Sequence, residues 1–231
     1  MKLRDLKGLF KTAKIKFIEA KHVADDYYEV RLKAPQGLTW RAGEHAIFMM
    51  PDKKIEGKTY RAFSIASTSD EGVILLGFRT GKSISSFKKT LISLNPDEEV
   101  KMRGPFGWFT IQDDTSPMVM IALGVGVTPI RALLKQLGDT KKEIEVIYAS
   151  NYYLFKDEIN ALTDHQSNVN VHYVQTIEET QKAYTHAAKT YGNKAYYYIS
   201  GNKVSIDAIS SVLKKLGIKK SRLIFDPFLG Y

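Results

Sequence analysis

The chain has 231 residues, 44% hydrophobic and 26% charged, with no cysteine and a formal net charge of +9. That length suits two domains of about 100 to 130 residues each. The composition excludes a disordered or fibrous chain, and the lack of cysteine excludes disulfides, thiolate zinc sites and cysteine-held iron–sulfur clusters. The positive charge is spread over both halves, with 20 basic against 15 acidic residues up to residue 115 and 14 against 10 beyond it. Such an excess favours anionic ligands and acidic partners. The five histidines (His22, His45, His165, His172 and His186) have no spacing that would set two on one helical face, so no metal site is expected. The longest apolar stretch, near Met118 to Val127, is far below the roughly 20 residues that cross a bilayer. With a basic N-terminus and no apolar signal core behind it, the expected location is the cytoplasm.

From about Thr12 to Lys101 the chain reads as strands. Alternating runs such as Ala13 to Ile18, Tyr27 to Leu32 and Gly72 to Phe78 are separated by Gly, Pro, Asp and Asn, which predicts a small antiparallel barrel. One helical piece interrupts it over Ser86 to Leu94, where Phe87, Leu91 and Leu94 share a face, and it ends before Asn95-Pro96.

From Pro117 the pattern changes. The apolar run Met118 to Leu123 is followed by a glycine loop, then Pro129 and a helix with Ile130, Leu133, Leu134 and Leu137 that stops at Gly138. Glu145 to Ala149, Val169 to Val174 and Ala195 to Ser200 read as further strands, the last leading into a helix with Ile206, Ile209, Leu213 and Leu216. Buried strands alternating with helices predict a doubly wound parallel sheet. The two domains are expected over residues 1–114 and 115–231, joined through the stretch from Gln112 to Pro117.

Four places carry chemistry. Gly124 and Gly126, between a strand and a helix opening at Pro129, gather free backbone amides around one point, as either a pyrophosphate site or a tight turn. Ser200-Gly201-Asn202 follows the last parallel strand and falls on the same rim of the sheet, where ligands of open parallel sheets bind. Arg61-Ala62-Phe63-Ser64 on a strand puts Arg61 and Phe63 on one face and Ser64 on the other. An arginine fork suits a pyrophosphate, and an aromatic ring offers a flat surface to an isoalloxazine. In Gly81 to Lys88, a glycine and hydroxyls open the barrel's helix, where Ser85 or Ser86 serves either an anion or the helix cap. The ending Ile224 to Tyr231 is too apolar to dangle free, so something must cover its rings, a patch of the barrel or a ligand. Tyr196-Tyr197-Tyr198 and Tyr152-Tyr153 suggest base stacking, but the triple lies in a strand bound for a buried sheet, and nucleic-acid binding is not expected.

In these segments, taken in order, the chain resembles the ferredoxin-NADP reductase-like family over nearly its whole length, which implies that the antiparallel barrel has six strands. The family's Arg-x-Tyr-Ser motif matches Arg61 to Ser64, with Phe63 replacing the tyrosine. The resemblance implies that Arg61 holds the diphosphate of FAD, that Phe63 stacks on the flavin with Ala62 beside it, and that Ser64 lies near its N5. It implies a second diphosphate contact at Gly81, Ser85, Ser86 and Phe87, next to Phe78. Gly104-Pro105-Phe106-Gly107-Trp108-Phe109 is similar to the family's barrel exit, and Ala42-Gly43-Glu44 to its Ala-Gly-Gln. The family's Gly-x-Gly-x-Thr-Pro loop matches Gly124 to Pro129 and implies a nicotinamide cofactor with Thr128 beside its ring. Where relatives often carry Cys-Gly-Pro, this chain has Ser200, Gly201 and Asn202; Ser200 either bonds the carboxamide or simply ends a strand.

Similar chains close with Asp-x-Phe-x-Gly-Tyr, which implies that Phe228, or else Tyr231, covers the flavin. Ser150 and Asn151 follow a strand after which many relatives carry an arginine for a 2′-phosphate, so NADPH and NADH both remain open. The function implied is an FAD-dependent enzyme that takes hydride from NAD(P)H and passes electrons to an acidic carrier such as ferredoxin or flavodoxin. The alternative is an electron-transfer subunit of a larger complex without freestanding turnover.

Overall fold

The computed structural model describes residues 8–226 and divides into two compact units, Met1–Thr110 and Ile111–Tyr231. The loop after the division belongs to the second unit. The Asp113 carboxylate accepts from the Ser116 amide at 2.7 Å and the Thr115 amide at 3.0 Å, while buried Lys142 donates to the Asp113 carbonyl.

In the first unit, β1 (Thr12–Ala24), β2 (Tyr27–Lys33), β3 (His45–Met49), β4 (Tyr60–Ser64), β5 (Val73–Arg79) and β6 (Glu99–Phe106) form one sheet in the order β4-β3-β6-β1-β2-β5. Every pair is antiparallel. Just past β4, the Ala66 amide donates to the Leu75 carbonyl at 2.8 Å and brings the first strand of that order against the last. The alternation read from the sequence is visible in β6, where Val100 and Met102 point inward between exposed neighbours. Helix α1 (Ser86–Ile92) closes the core with Phe87 and Leu91, both fully buried. It stops two residues before the expected Leu94, because Ser93 turns its hydroxyl onto the Thr90 carbonyl and Leu94 enters the core from the loop.

The second unit alternates β7 (Met118–Leu123), α2 (Val127–Leu137), β8 (Ile144–Ala149), α3 (Lys156–Thr163), β9 (Val169–Val174), α4 (Ile177–Tyr191), β10 (Tyr196–Ser200), α5 (Lys203–Lys215) and β11 (Leu223–Phe225). The sheet is parallel throughout, in the order β11-β10-β7-β8-β9. Strands buried on both faces explain the unbroken apolar run of β7 and the buried Tyr197 and Tyr198 of β10. The chain winds outward from β7 to β9 and then returns to the other side of β7 as β10. The strand order therefore reverses between β7 and β10, the kind of switch point at which open parallel sheets bind ligands beyond the carboxyl ends of their strands.

Candidate functional site

The loop leaving β7 is a 3-10 turn, Gly124–Gly126, that runs directly into α2. Gly124 takes φ +56°, and a side chain on Gly126 would strike the Ser200 carbonyl oxygen at 2.3 Å and the Gly201 amide nitrogen at 2.9 Å. A side chain on Gly201 would meet Leu123 at 2.7 Å. The two glycines thus let the β7 loop and the end of β10 touch through backbone, which joins two of the segments singled out in the sequence. Pro129 sits in the first turn of α2, where its missing amide costs nothing. Buried Thr128 donates its hydroxyl to the Val125 carbonyl at 2.9 Å and fastens the turn.

At the end of β10, Ser200 is fully buried and donates to Asp226 Oδ2 at 3.0 Å. The Asp226 amide in turn donates to the Ile199 carbonyl at 3.1 Å. Asn202, in the place of the family's proline, caps α5 by accepting from the Ser205 amide at 2.9 Å. Beyond β8, the Ser150 hydroxyl donates to the Tyr152 carbonyl at 2.5 Å, and Asn151 is exposed. Lys156 places its ammonium 5.6 Å from the ring of Tyr153 and 4.9 Å from that of Tyr173. Phe228 and Tyr231 lie outside the described residues.

In the first unit, cross-strand pairing sorts the β4 motif by face. Arg61 and Phe63 stand opposite Phe48 and Ala46 on the core side, while Ala62 and Ser64 stand opposite Ile47 and His45 on the other. Phe63 is 3% exposed, with Phe78 stacked at 5.2 Å and Phe48 and Phe87 at 5.8 and 6.3 Å. Phe63, Phe78 and Phe87 therefore pack one another in the core and present no open ring. The surface left for a flat ligand is the half-buried strip of Ile47 and Ala62 beside Ser64.

A guanidinium and a glycine loop are groups whose chemistry suits a diphosphate. Arg61 is buried, its guanidinium held by the carbonyls of Lys58 and Tyr60 at 2.9 and 2.8 Å and lying over Phe87 at 5.6 Å. Gly81 takes φ +71° with open space where a side chain would stand. Of the two serines, Ser85 caps α1 by accepting from the Lys88 amide at 3.4 Å, and Ser86 accepts from the Glu56 amide at 3.1 Å. Sequence reasoning missed Asp26, which accepts from the Gly81 amide at 2.9 Å and from Arg79 Nε at 2.9 Å and so ties this loop to β5. It also missed Lys88 and Asp226; both stood inside quoted segments, but only the fold shows what they face.

Glu44 is explained by Arg41, which donates to its carboxylate through Nε at 2.9 Å and Nη2 at 2.7 Å and to the Gly107 carbonyl at 2.9 Å. This pair pins the start of β3 to the exit of β6. Among the described residues no group of His, Asp and Glu is placed to hold a metal ion, and no helix is long and apolar enough to cross a membrane.

Residues 120–202 match the family model of the oxidoreductase NAD-binding domain. The chain is 24% identical over 216 residues to a subunit of the Na(+)-translocating NADH-quinone reductase of Shewanella denitrificans, covering 81% of this chain and 53% of that protein. It is 26% identical over 210 residues to the corresponding protein of Mannheimia succiniciproducens, covering 77% and 50%. The chain thus spans about half the length of these relatives. Among solved structures, ferredoxin-NADP+ reductase from Plasmodium falciparum with 2′P-AMP superposes with a TM-score of 0.76 at 17% identity, covering 92% of this chain and 95% of that one. Flavohemoglobin from Malassezia yamatoensis, with bound FAD and heme, gives 0.75 at 17% identity over 93% of this chain and 59% of that one.

Proposed function

We propose that this chain, a ferredoxin-NADP reductase-like protein by its fold and its NAD-binding domain, is an FAD-dependent oxidoreductase that draws electrons from NAD(P)H and passes them to a second protein. The observation that carries this reading is the packing of the Gly124–Gly126 turn against Ser200 and Gly201 at the switch point of the parallel sheet. Backbone amides there receive the nucleotide's pyrophosphate. Thr128 and the Ser200–Asp226 pair border the nicotinamide.

In the first unit, Arg61 and the Gly81 loop hold the FAD diphosphate, and Ser64, with the Ile47 and Ala62 strip, receives the ring system. FAD supplies the hydride acceptor and the means of releasing electrons onward. The protein's part is to orient two cofactors, exclude water around them and supply hydrogen bonds to their reacting edges. The acceptor is an acidic electron carrier of the ferredoxin or flavodoxin type, a choice that the net charge of +9 supports. The test is NAD(P)H-dependent reduction of ferricyanide by the FAD-loaded chain. Steady turnover supports a freestanding reductase.

A second reading has one specific observation behind it. The curated relatives are subunits of a Na(+)-translocating NADH-quinone reductase, and this chain spans about half of their length. In that reading the chain delivers electrons inside a larger assembly, and ferricyanide turnover is slow while reduction of its own FAD by NADH stays fast.

A further inference from the structure

We infer that Lys88 is a second cationic arm of the flavin diphosphate site, acting beside Arg61, and that this pair makes the barrel take FAD in preference to riboflavin. The inference rests on the reading that the first unit binds FAD.

Lys88 follows Phe87 on α1. While Phe87 is buried beneath the Arg61 guanidinium, the half-buried Lys88 sends its ammonium back over Phe78, 5.5 Å from the ring centre, to donate to the Arg79 carbonyl at 2.5 Å. Burial pushes the ammonium's pKa down, and the like charge of Arg61 pushes it further. The opposing charge is Asp26. Its carboxylate is already engaged by Arg79 Nε, at 2.9 and 3.2 Å to its two oxygens, and by the Gly81 amide at 2.9 Å.

Two cations held close together in a partly desolvated place repel one another, and an arriving anion relieves both. Arg79 is paired with Asp26, and the like charges of Arg61 and Lys88 repel one another. A dinucleotide diphosphate carries two negative charges, one for each. Beside them Gly81 has open space where a side chain would stand, so the backbone of its loop leaves room for phosphate oxygens. In a purely structural role, by contrast, Lys88 would only fasten α1 to β5 through the Arg79 carbonyl.

The test uses the full chain stripped of flavin and titrated separately with FAD and riboflavin. Lys88→Met keeps the apolar stem on Phe78 and removes the charge; it should weaken FAD binding roughly 10- to 100-fold and leave riboflavin binding unchanged. Lys88→Arg should retain most of the FAD affinity. Equal FAD affinity in wild type and Lys88→Met, or equal losses for FAD and riboflavin, would overturn the assignment. A readout on the wild-type protein keeps the test independent of the variants' folding: FAD, but not riboflavin, should slow acetylation of Lys88 by acetic anhydride, followed by mass spectrometry, and an unchanged rate would count against the arm. If wild type takes up no FAD, it is the cofactor reading itself that fails, not the part given to Lys88.

Discussion

The Ser200 hydroxyl donates to Asp226 Oδ2 at 3.0 Å with both side chains buried, at 0% and 3% exposure. A strand end and a residue 26 positions later are thus coupled at the rim where the nicotinamide is proposed to sit. Ser200→Ala removes a donor from a buried carboxylate, which costs about 1–3 kcal/mol of stability. Hydride transfer should also fall by about tenfold or more while FAD content is retained. Thermal unfolding and stopped-flow flavin reduction measure the two effects. An unchanged reduction rate would confine the pair to a structural role.

The two glycines of the β7 loop should respond differently. Gly126→Ala sets a methyl group 2.3 Å from a backbone oxygen that cannot rotate away; overpacking of this kind costs about 1–3 kcal/mol, and nucleotide affinity falls with it. At Gly124 nothing lies within 4 Å, so alanine there meets only the φ of +56°, a cost of about 1–2 kcal/mol. Denaturant midpoints compare the two stabilities, and titration with NADH separates them further, because only Gly126→Ala moves the β10 end.

His45 predicts a pH dependence. Its ring lies edge-on to Phe106 at 4.4 Å, and its buried Nδ1 has no hydrogen-bond partner. Burial brings its pKa down to about 4. An unfolded histidine titrates near 6.5, so as the pH falls the unfolded chain takes up the proton first. Stability is then lost between about pH 6.5 and 4, by up to about 3 kcal/mol from this group. Urea unfolding at pH 7 and pH 5 should show a smaller difference in His45→Gln than in wild type.

NADH is expected to be preferred to NADPH. A 2′-phosphate needs several free donors, yet the Ser150 hydroxyl is committed to the Tyr152 carbonyl and the Lys156 ammonium lies over two tyrosine rings. Glu179 stands in the first turn of α4, at the same end of the sheet, and its carboxylate would repel added negative charge. The ratio kcat/KM should favour NADH by about tenfold or more. Glu179→Gln should narrow the ratio, and a preference for NADPH in wild type would contradict this argument.

Much of this molecule could be read from the chain because its periodicities are clean. The switch from alternating strands to the solid apolar run Met118–Leu123 separates the two fold types, and the glycine loop and Ser200–Gly201 sit at β7 and β10, where a parallel sheet has its crevice. Less was legible on the barrel. Alternation places Arg61 and Phe63 on one face, but it does not say that this face looks inward, and the ring expected to stack on the flavin is enclosed by Phe48, Phe78 and Phe87. Helix α4 was not expected from the sequence, although its capping box, Thr176 with Glu179, stands in the chain as a short motif. Lys88, Asp26 and Asp226 gain their meaning from strands far away in sequence, which no local pattern reveals.

The central claim is that electrons from a nicotinamide nucleotide enter a flavin held by this chain. The direct measurement is the anaerobic visible spectrum of the purified protein before and after NADH or NADPH. The account predicts a flavin spectrum that NADH bleaches faster than NADPH, whereas a colourless protein that cannot be reconstituted with FAD, or a flavin that neither nucleotide bleaches, would contradict it.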